Sequence, residues 1–449
     1  MTRALARLGP LVALAWLTSP AMTQSLEPAA RRLSLAEAVA IASGTTPAVQ
    51  IAALRTDEAN ARVGEARGVL LPNLSVTGYQ LDRTFNSRTL GIPFPSVPGG
   101  PSIPERVGPV QQFDARLHGS QALLDPAGWA RIGASHRGLD VSRAEQSASG
   151  ESAAQTAAIA YLRSARAVKV VDARRSDLAV ADSLVEIAEA QIKAGLTPDI
   201  DGTRARTQSA AARSALLVAR NQLDRARLDL ARALGLDPMS PLALSDSLDG
   251  SLGGSTAPDR AEAAVALALE RRPELTAEAA RSRLARSSRT AIRLERLPRV
   301  EVAADYGLSG EQAPDAIATH QVGVAFSMPF MDGLRREARV DEQTALLRES
   351  EVRMRDLQQQ VVADVDAALL DLASGLEQEQ VATDRLRLAD RELAQARERF
   401  TSGVAGNIEV VDAQSSLVRA REIDIDARFA IAVARVNLAR ATGVARSIH

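Results

Sequence analysis

The side chains that could carry chemistry in this 449-residue chain are few. It has no Cys, so a thiolate nucleophile, a thiolate metal site, a disulfide and an acylated lipoprotein cysteine are all excluded. The four His (His118, His136, His320 and His449) lack the spacing of metal ligands, and six Met are too few for a soft-metal relay. No Ser, His and Asp set or phosphate-cradling Gly loop is present. The expectation is therefore no enzyme, no cofactor and no metal. What remains is a group of charged residues that follow two similar turns: Asp199, Asp201 and Arg204 after the first, Glu409 and Asp412 after the second. A carboxylate in a first helical turn is stabilised by the helix dipole, which accounts for Asp199. If copies of the helix surround a symmetry axis, a carboxylate facing that axis becomes a ring that favours cations and repels anions. Asp201, Glu409 and Asp412 are open to either reading. Arg204 aligns with Asp412, so an ion pair between the repeats could hold such an opening closed.

The elements that place these residues are long helices. Pro126 to Lys193 contains no further proline, and Val171, Leu178, Val185 and Ile192, with Ala181 and Ala188, keep the apolar heptad of a coiled-coil seam. At 1.5 Å per residue such a helix runs about 100 Å. It stops at Ala194-Gly195-Leu196-Thr197-Pro198, where Gly suits the left-handed C-cap and the proline opens a returning helix from about Asp199 to Leu234. The same register recurs 208 residues later in Leu386, Ala389, Leu393, Ala396 and Phe400, and the turn recurs as Ser402-Gly403-Val404-Ala405-Gly406. Pro47 and Pro72 recur at Pro273 and Pro298, and Leu124-Asp125 at Met331-Asp332. The chain is thus a fused pair of repeats.

Net charge is -1, which removes the concentrated basic face that a nucleic-acid binder needs. Residues 1–25 read as a secretory signal: Arg3 and Arg7 precede the apolar run Leu11 to Leu17, and Ser19-Pro20-Ala21 offers a cleavage site. The first repeat covers 26–236, a Pro, Gly and Ser-rich equatorial linker 237–259, and the second repeat 260–449. Ser34 and Glu37 make a capping box for a short helix that ends before Pro47, and a second helix follows to about Leu71. Alternation then marks strands at about 73–85 and 111–124, separated by a Pro-rich loop, before the helical hairpin 126–235. In the second repeat the strands fall at about 299–309 and 319–331, and the hairpin at 332–443. Seven of the eleven aromatics beyond the signal (Tyr79, Phe85, Phe94, Phe113, Tyr306, Phe326, Phe330) lie in these strand regions. Membrane barrels concentrate aromatics at their interfaces, so the sheet is expected to face lipid.

Four strands leave two open edges, which a bilayer cannot satisfy, so neighbouring chains must supply the rest. A cyclic homotrimer would give twelve strands. The expected fold class is mainly α with a membrane β-barrel: two tandem repeats of helix, strand, strand, long helix and helix, trimerising into a 12-stranded barrel continued by a periplasmic α-helical barrel.

The ordered double set of markers resembles the TolC family of outer-membrane efflux proteins. It comprises Leu33-Ser34-Leu35 with Glu37-Ala38, Pro47 and Pro72, the Leu124-Asp125 and Met331-Asp332 junctions, and the closing segments that end at Gly235 and Gly443. One departure is Pro126 after Asp125, where the family commonly has Gly, as at Asp332-Gly333. The resemblance implies an outer-membrane channel-tunnel of a tripartite efflux system, working with an inner-membrane pump and a periplasmic adaptor (membrane fusion) protein. It also implies that the turns at Gly195, Leu196 and Thr197 and at Gly403, Val404 and Ala405 form the periplasmic tip where the adaptor docks. Two rivals are the same duct serving type I protein secretion, and a secreted coiled-coil scaffold without a pore.

Overall fold

A computed structural model describes residues 31–90, 104–195, 197–248, 251–404 and 406–449. The expected signal segment, Phe94 and the turn residues Leu196 and Ala405 lie outside these. In chain order the elements are β1 (Arg31–Leu33), α1 (Leu35–Thr45), α2 (Pro47–Gly68), β2 (Asn73–Asn86), β3 (Arg106–Leu124), α3 (Pro126–Lys193), α4 (Asp199–Ala233), β4 (Leu242–Leu244), α5 (Ala261–Arg271), α6 (Pro273–Leu294), β5 (Arg299–Gly310), β6 (Ile317–Ser327), α7 (Arg335–Thr401) and α8 (Asn407–Ala441). Helices α1 and α2 recur as α5 and α6 at a displacement of 226, and α4 recurs as α8 at 208, residue for residue.

Local chemistry sets the boundaries. Ser34 accepts from the Glu37 N–H at 3.1 Å while Glu37 accepts from the Ser34 N–H at 2.9 Å, closing the capping box of α1. Asp125 caps α3 by accepting from the Gly128 N–H at 2.7 Å, and Pro126 occupies the first helical position without loss because no intrahelical donor is needed there. Gly333 and Leu334 both take positive φ (69° and 65°), so α7 begins at Arg335 rather than at 332. Strand β6 likewise ends at Ser327, short of the expected 331.

Helix packing follows the repeat. Helix α3 packs against α2, α4, α6 and α8, and α7 against α6 and α8. Helices α4 and α2 share one flank of α3 end to end: a Cβ on Gly235, just past α4, would lie 3.2 Å from the Pro47 ring that opens α2. Gly443, just past α8, abuts the Arg271–Arg272 backbone before α6 in the same way. Together α2 and α4 supply 57 helical residues, about 85 Å, beside the roughly 100 Å of α3. The wall of one protomer therefore has four columns, in the order α2 with α4, α3, α6 with α8, and α7.

The main sheet has the order β2-β3-β5-β6, antiparallel throughout. Each strand continues one helical column, so sheet and helical wall share one order and both end in open edges. Midway along the molecule a feature the sequence did not suggest, the parallel pair β1–β4, joins α1 and the C-terminus on α3. Leu33, Leu35, Tyr161, Leu230, Leu234, Val436 and Ile448 form the core there. Tyr161 donates its hydroxyl to the Leu33 carbonyl at 2.9 Å and also meets Asp246 at 3.1 Å, tying both small strands to α3.

Candidate functional site

The two hairpin turns stand at one end of the helical wall. At the first, the Gly195 N–H donates to the Ile192 carbonyl at 2.9 Å with φ +72°. At the second, Gly403 (φ +70°) donates to Phe400 at 3.0 Å and Val404 to Arg399 at 2.9 Å, the paired bonds of a Schellman cap. Thr197 is half-buried, while Val404, Ile200 and Ile408 expose apolar side chains around the turns.

The five charged residues singled out from sequence divide. Asp201 is buried, 8 % exposed, between α4 and α8. Arg204 does not reach Asp412 within the protomer. Its carboxylate partner is Asp201 at 3.6 Å, because a spacing of three on one helix brings the two side chains together. Glu409 is exposed and pairs with Arg399 at 3.3 Å across the second turn. Asp412 is exposed and has no ion-pair partner among the described residues. Asp199 is exposed in the first turn of α4, where the dipole favours it.

What joins the two hairpins is a polar ladder on α8. Asn407, 2 % exposed, donates from Nδ2 to the Asp201 carbonyl at 3.1 Å. Gln414, 1 % exposed, donates from Nε2 to the Asp177 carbonyl at 3.3 Å, and Arg421 pairs with the Asp177 carboxylate at 2.9 Å. Arg174 adds a second cation to Asp177 at 3.4 Å and reaches Glu422 at 3.0 Å. Burial pushes the Asp177 carboxyl above its ordinary range, and Arg421 and Arg174 pull it back only in part. The rungs Asn407, Gln414 and Arg421 are seven apart, one per two turns, so they occupy a single stripe. That heptad of polar residues was the sequence signal for the ladder. Between the rungs Leu184 of α3 packs into the apolar seam of Ala389, Leu393, Phe400, Val410 and Leu417.

At the other end, register sorts the sheet into two faces. Leu74, Val76, Leu117, Tyr306, Leu308, Val322, Val324 and Phe326 lie on one, with Leu117 paired to both Val76 and Tyr306. Ser75, Thr77, Asp114, Arg116, His118, Asp305, Thr319 and Gln321 lie on the other. Strands of 14, 19, 12 and 11 residues suffice to cross a bilayer at a tilt. No helix among the described residues is long and apolar enough to do so.

A four-stranded sheet with one apolar face, continued by a long helical wall with open edges, is the architecture of a channel-forming outer-membrane protein. The pattern of the outer membrane efflux protein family matches residues 39–236 and 264–444, and the chain belongs to that family. It is an outer-membrane efflux channel with a large periplasmic helical part. Its sequence is 26% identical over 422 residues to protein CyaE of Bordetella pertussis, covering 90% of this chain and 83% of that one. Its fold matches the CmeC outer membrane channel of Campylobacter jejuni with a TM-score of 0.75 at 16% identity, covering 92% and 86% of the two chains. The open-state MtrE outer membrane channel of Neisseria gonorrhoeae matches with a TM-score of 0.72 at 16% identity, over 92% and 90%.

Proposed function

We propose that this chain works as a homotrimer, the passive exit duct of a tripartite pump. The observation that carries this is the shared order of strands and helical columns. Joining the β6 edge of one protomer to the β2 edge of the next also joins α7 to the α2 and α4 column. Three copies close twelve strands over twelve helical columns with no edge left unpaired. The apolar face must then contact lipid, which leaves the polar face for the lumen.

The substrate is delivered at the tip. Exposed Val404, Ile200 and Ile408 around Gly195, Thr197 and Gly403 offer a small apolar rim for the hairpin of a periplasmic adaptor, with an inner-membrane pump behind it. The ladder from Asn407 to Arg421 holds the α7–α8 hairpin against α3–α4, and separating the hairpins would widen the tip. Native mass spectrometry with negative-stain imaging of protein extracted from outer membranes tests the assembly. An elongated trimer of about 140 Å is expected, the sum of a helical tube of about 100 Å and a membrane section of about 40 Å. A detergent-independent monomer would overturn the reading and restore the scaffold without a pore.

A further inference from the structure

Within one protomer α8 lies along α3 in a fixed antiparallel register. Gln155 meets Asn437 at 3.0 Å, and Arg166 meets Asp426 at 2.6 Å, 11 residues further along both helices. Between these rungs Ala158 and Leu162 of α3 are fully buried, and Ile425, Phe429, Val433 and Val436 form the stripe of α8 that packs into the same core. A displacement of 208 carries the end of α3 onto the end of α7, and α8 onto α4. The counterparts of Gln155, Ala158, Leu162 and Arg166 are Ala363, Asp366, Leu370 and Ser374, all exposed on α7. They run along a groove of about 810 Å³ between the start of α5 and α7, whose α7 side is Asp366, Leu369, Leu370, Leu372, Ala373 and Leu376. The counterparts of the α8 stripe are Leu217, Asn221, Arg225 and Leu228, all exposed on α4. One seam is thus filled inside the protomer, while the two halves of its repeat stand on opposite edges of the wall. They differ from the filled seam at one matched place. In that register Ala158 lies beside Val433, an apolar contact, whereas their counterparts are Asp366 and Arg225. Neither of these has an ion-pair partner among the described residues.

We propose that the groove between α5 and α7 is the docking site for α4 of a second copy of this chain, held in the register that α8 keeps on α3. Leu217 and Leu228 of the neighbour fill the apolar groove, and the neighbour's Arg225 pairs with Asp366 at its mouth. The apolar counterparts of Leu217 and Leu228, Ile425 and Val436, already pack on α3 in this way, so the site needs no rearrangement of either helix. The exchange of an apolar contact for a charged one gives the junction between copies a recognition element that the seam inside the protomer lacks. A slip of the neighbour along the groove leaves Asp366 and Arg225 apart, so the pair fixes the height at which copies join.

This inference rests on the trimeric reading, and the test separates the two. The chain has no Cys, so introduced thiols are the only ones present. Full-length D229C with A363C, and V218C with S374C, reproduce across the junction the two rungs seen between α3 and α8. Treated in outer membranes with a short bifunctional thiol reagent, both pairs are expected to give covalent dimers and trimers on a denaturing gel. D229C with S374C, which is 11 residues out of register, should give none. Native mass spectrometry of the same preparations reports assembly independently. A trimer that cross-links through neither in-register pair, or equally through the out-of-register pair, overturns the docking site and leaves the trimer standing. A protein that is not trimeric overturns the trimeric reading, and the site falls with it. The charges are tested by exchange: D366R and R225D should each raise the monomer fraction in mild detergent several-fold, and D366R with R225D should restore the trimer. All four positions of the cross-linking pairs and both charges are exposed in the protomer, so folding is retained and circular dichroism checks it. A double variant no more trimeric than the single ones overturns the ion pair.

Discussion

Whether a carboxylate near the tip can act on a passing ion depends on whether its own protomer has already engaged it. Asp201 is enclosed between α4 and α8, with Arg204 at 3.6 Å and its carbonyl held by Asn407. Asp412 is exposed and unpaired among the described residues. D412N is therefore expected to lower the cation preference of the reconstituted channel at neutral pH, whereas D201N leaves it near wild type. Equal effects of the two would remove the acidic-ring reading of Asp412. Tyr161 makes a different residue-scale case, since burial pushes its hydroxyl up to about 12. A group with a raised folded-state value contributes stability that is fully present below its unfolded value, about 10, and lost as pH rises through the folded one. Melting curves of the wild type should therefore fall between about pH 10 and 12. Y161F should start lower, by about 1 kcal/mol for the lost hydrogen bonds, and show a flatter alkaline limb. Glu151 follows the same sign on the acid side. Burial raises it although the Ala445 N–H and Arg446 stabilise its charge, so its contribution is fully present below its unfolded value and lost as pH rises through the folded one.

At the scale of elements, the glycines that end the helices are not equivalent. Gly403 and Gly443 both adopt left-handed φ, +70° and +75°. A Cβ at Gly403 meets nothing within 4 Å, while one at Gly443 lies 3.0 Å from the Arg271 and Arg272 backbone. G403A should cost only the left-handed penalty, about 1–2 kcal/mol, and G443A clearly more, because it pushes α8 off the start of α6. Thermal denaturation of the two variants side by side checks this, and equal losses would mean that the α8–α6 junction yields. These helix ends were legible from sequence because proline and glycine act locally: α3 runs from Pro126 to Lys193 as the spacing indicates. The β1–β4 pair was not, since three-residue strands carry no periodicity and their partners are about 210 residues apart. Strand β3 begins at Arg106 instead of about 111, passing Gly108 and Pro109, which sequence reasoning assigns to the loop. A register shift between Arg83 and Phe85 absorbs the irregularity. The burial of Asp201 was equally hidden, for it depends on a second hairpin 206 residues away in sequence.

For the whole molecule, the decisive surfaces are the two edges of the four-column wall. The buried face of α7, with Val361, Val365, Ala389 and Leu393, packs on α5, α6 and α8. Val352, Leu370, Val381 and Leu388 remain exposed, at intervals of 18, 11 and 7 residues. Those intervals are close to five, three and two helical turns, so the four residues form one stripe. On the opposite edge Leu217 and Leu228 of α4 are exposed at a spacing of 11, with Ile51 on α2 above them. An apolar stripe on each edge of an open wall is what closure by identical neighbours requires, and fully burying each Leu or Val stabilises by about 1.5–3 kcal/mol. Glutamate at two of these positions would place charge against the neighbouring α4 at every junction of the ring, where nothing neutralises it. The double variant L370E with V381E is thus expected to retain its helical content by circular dichroism yet run as a monomer in mild detergent by native mass spectrometry. A stable trimer from that variant would show that the stripe faces away from the junction, and the closure of columns edge to edge would have to be abandoned.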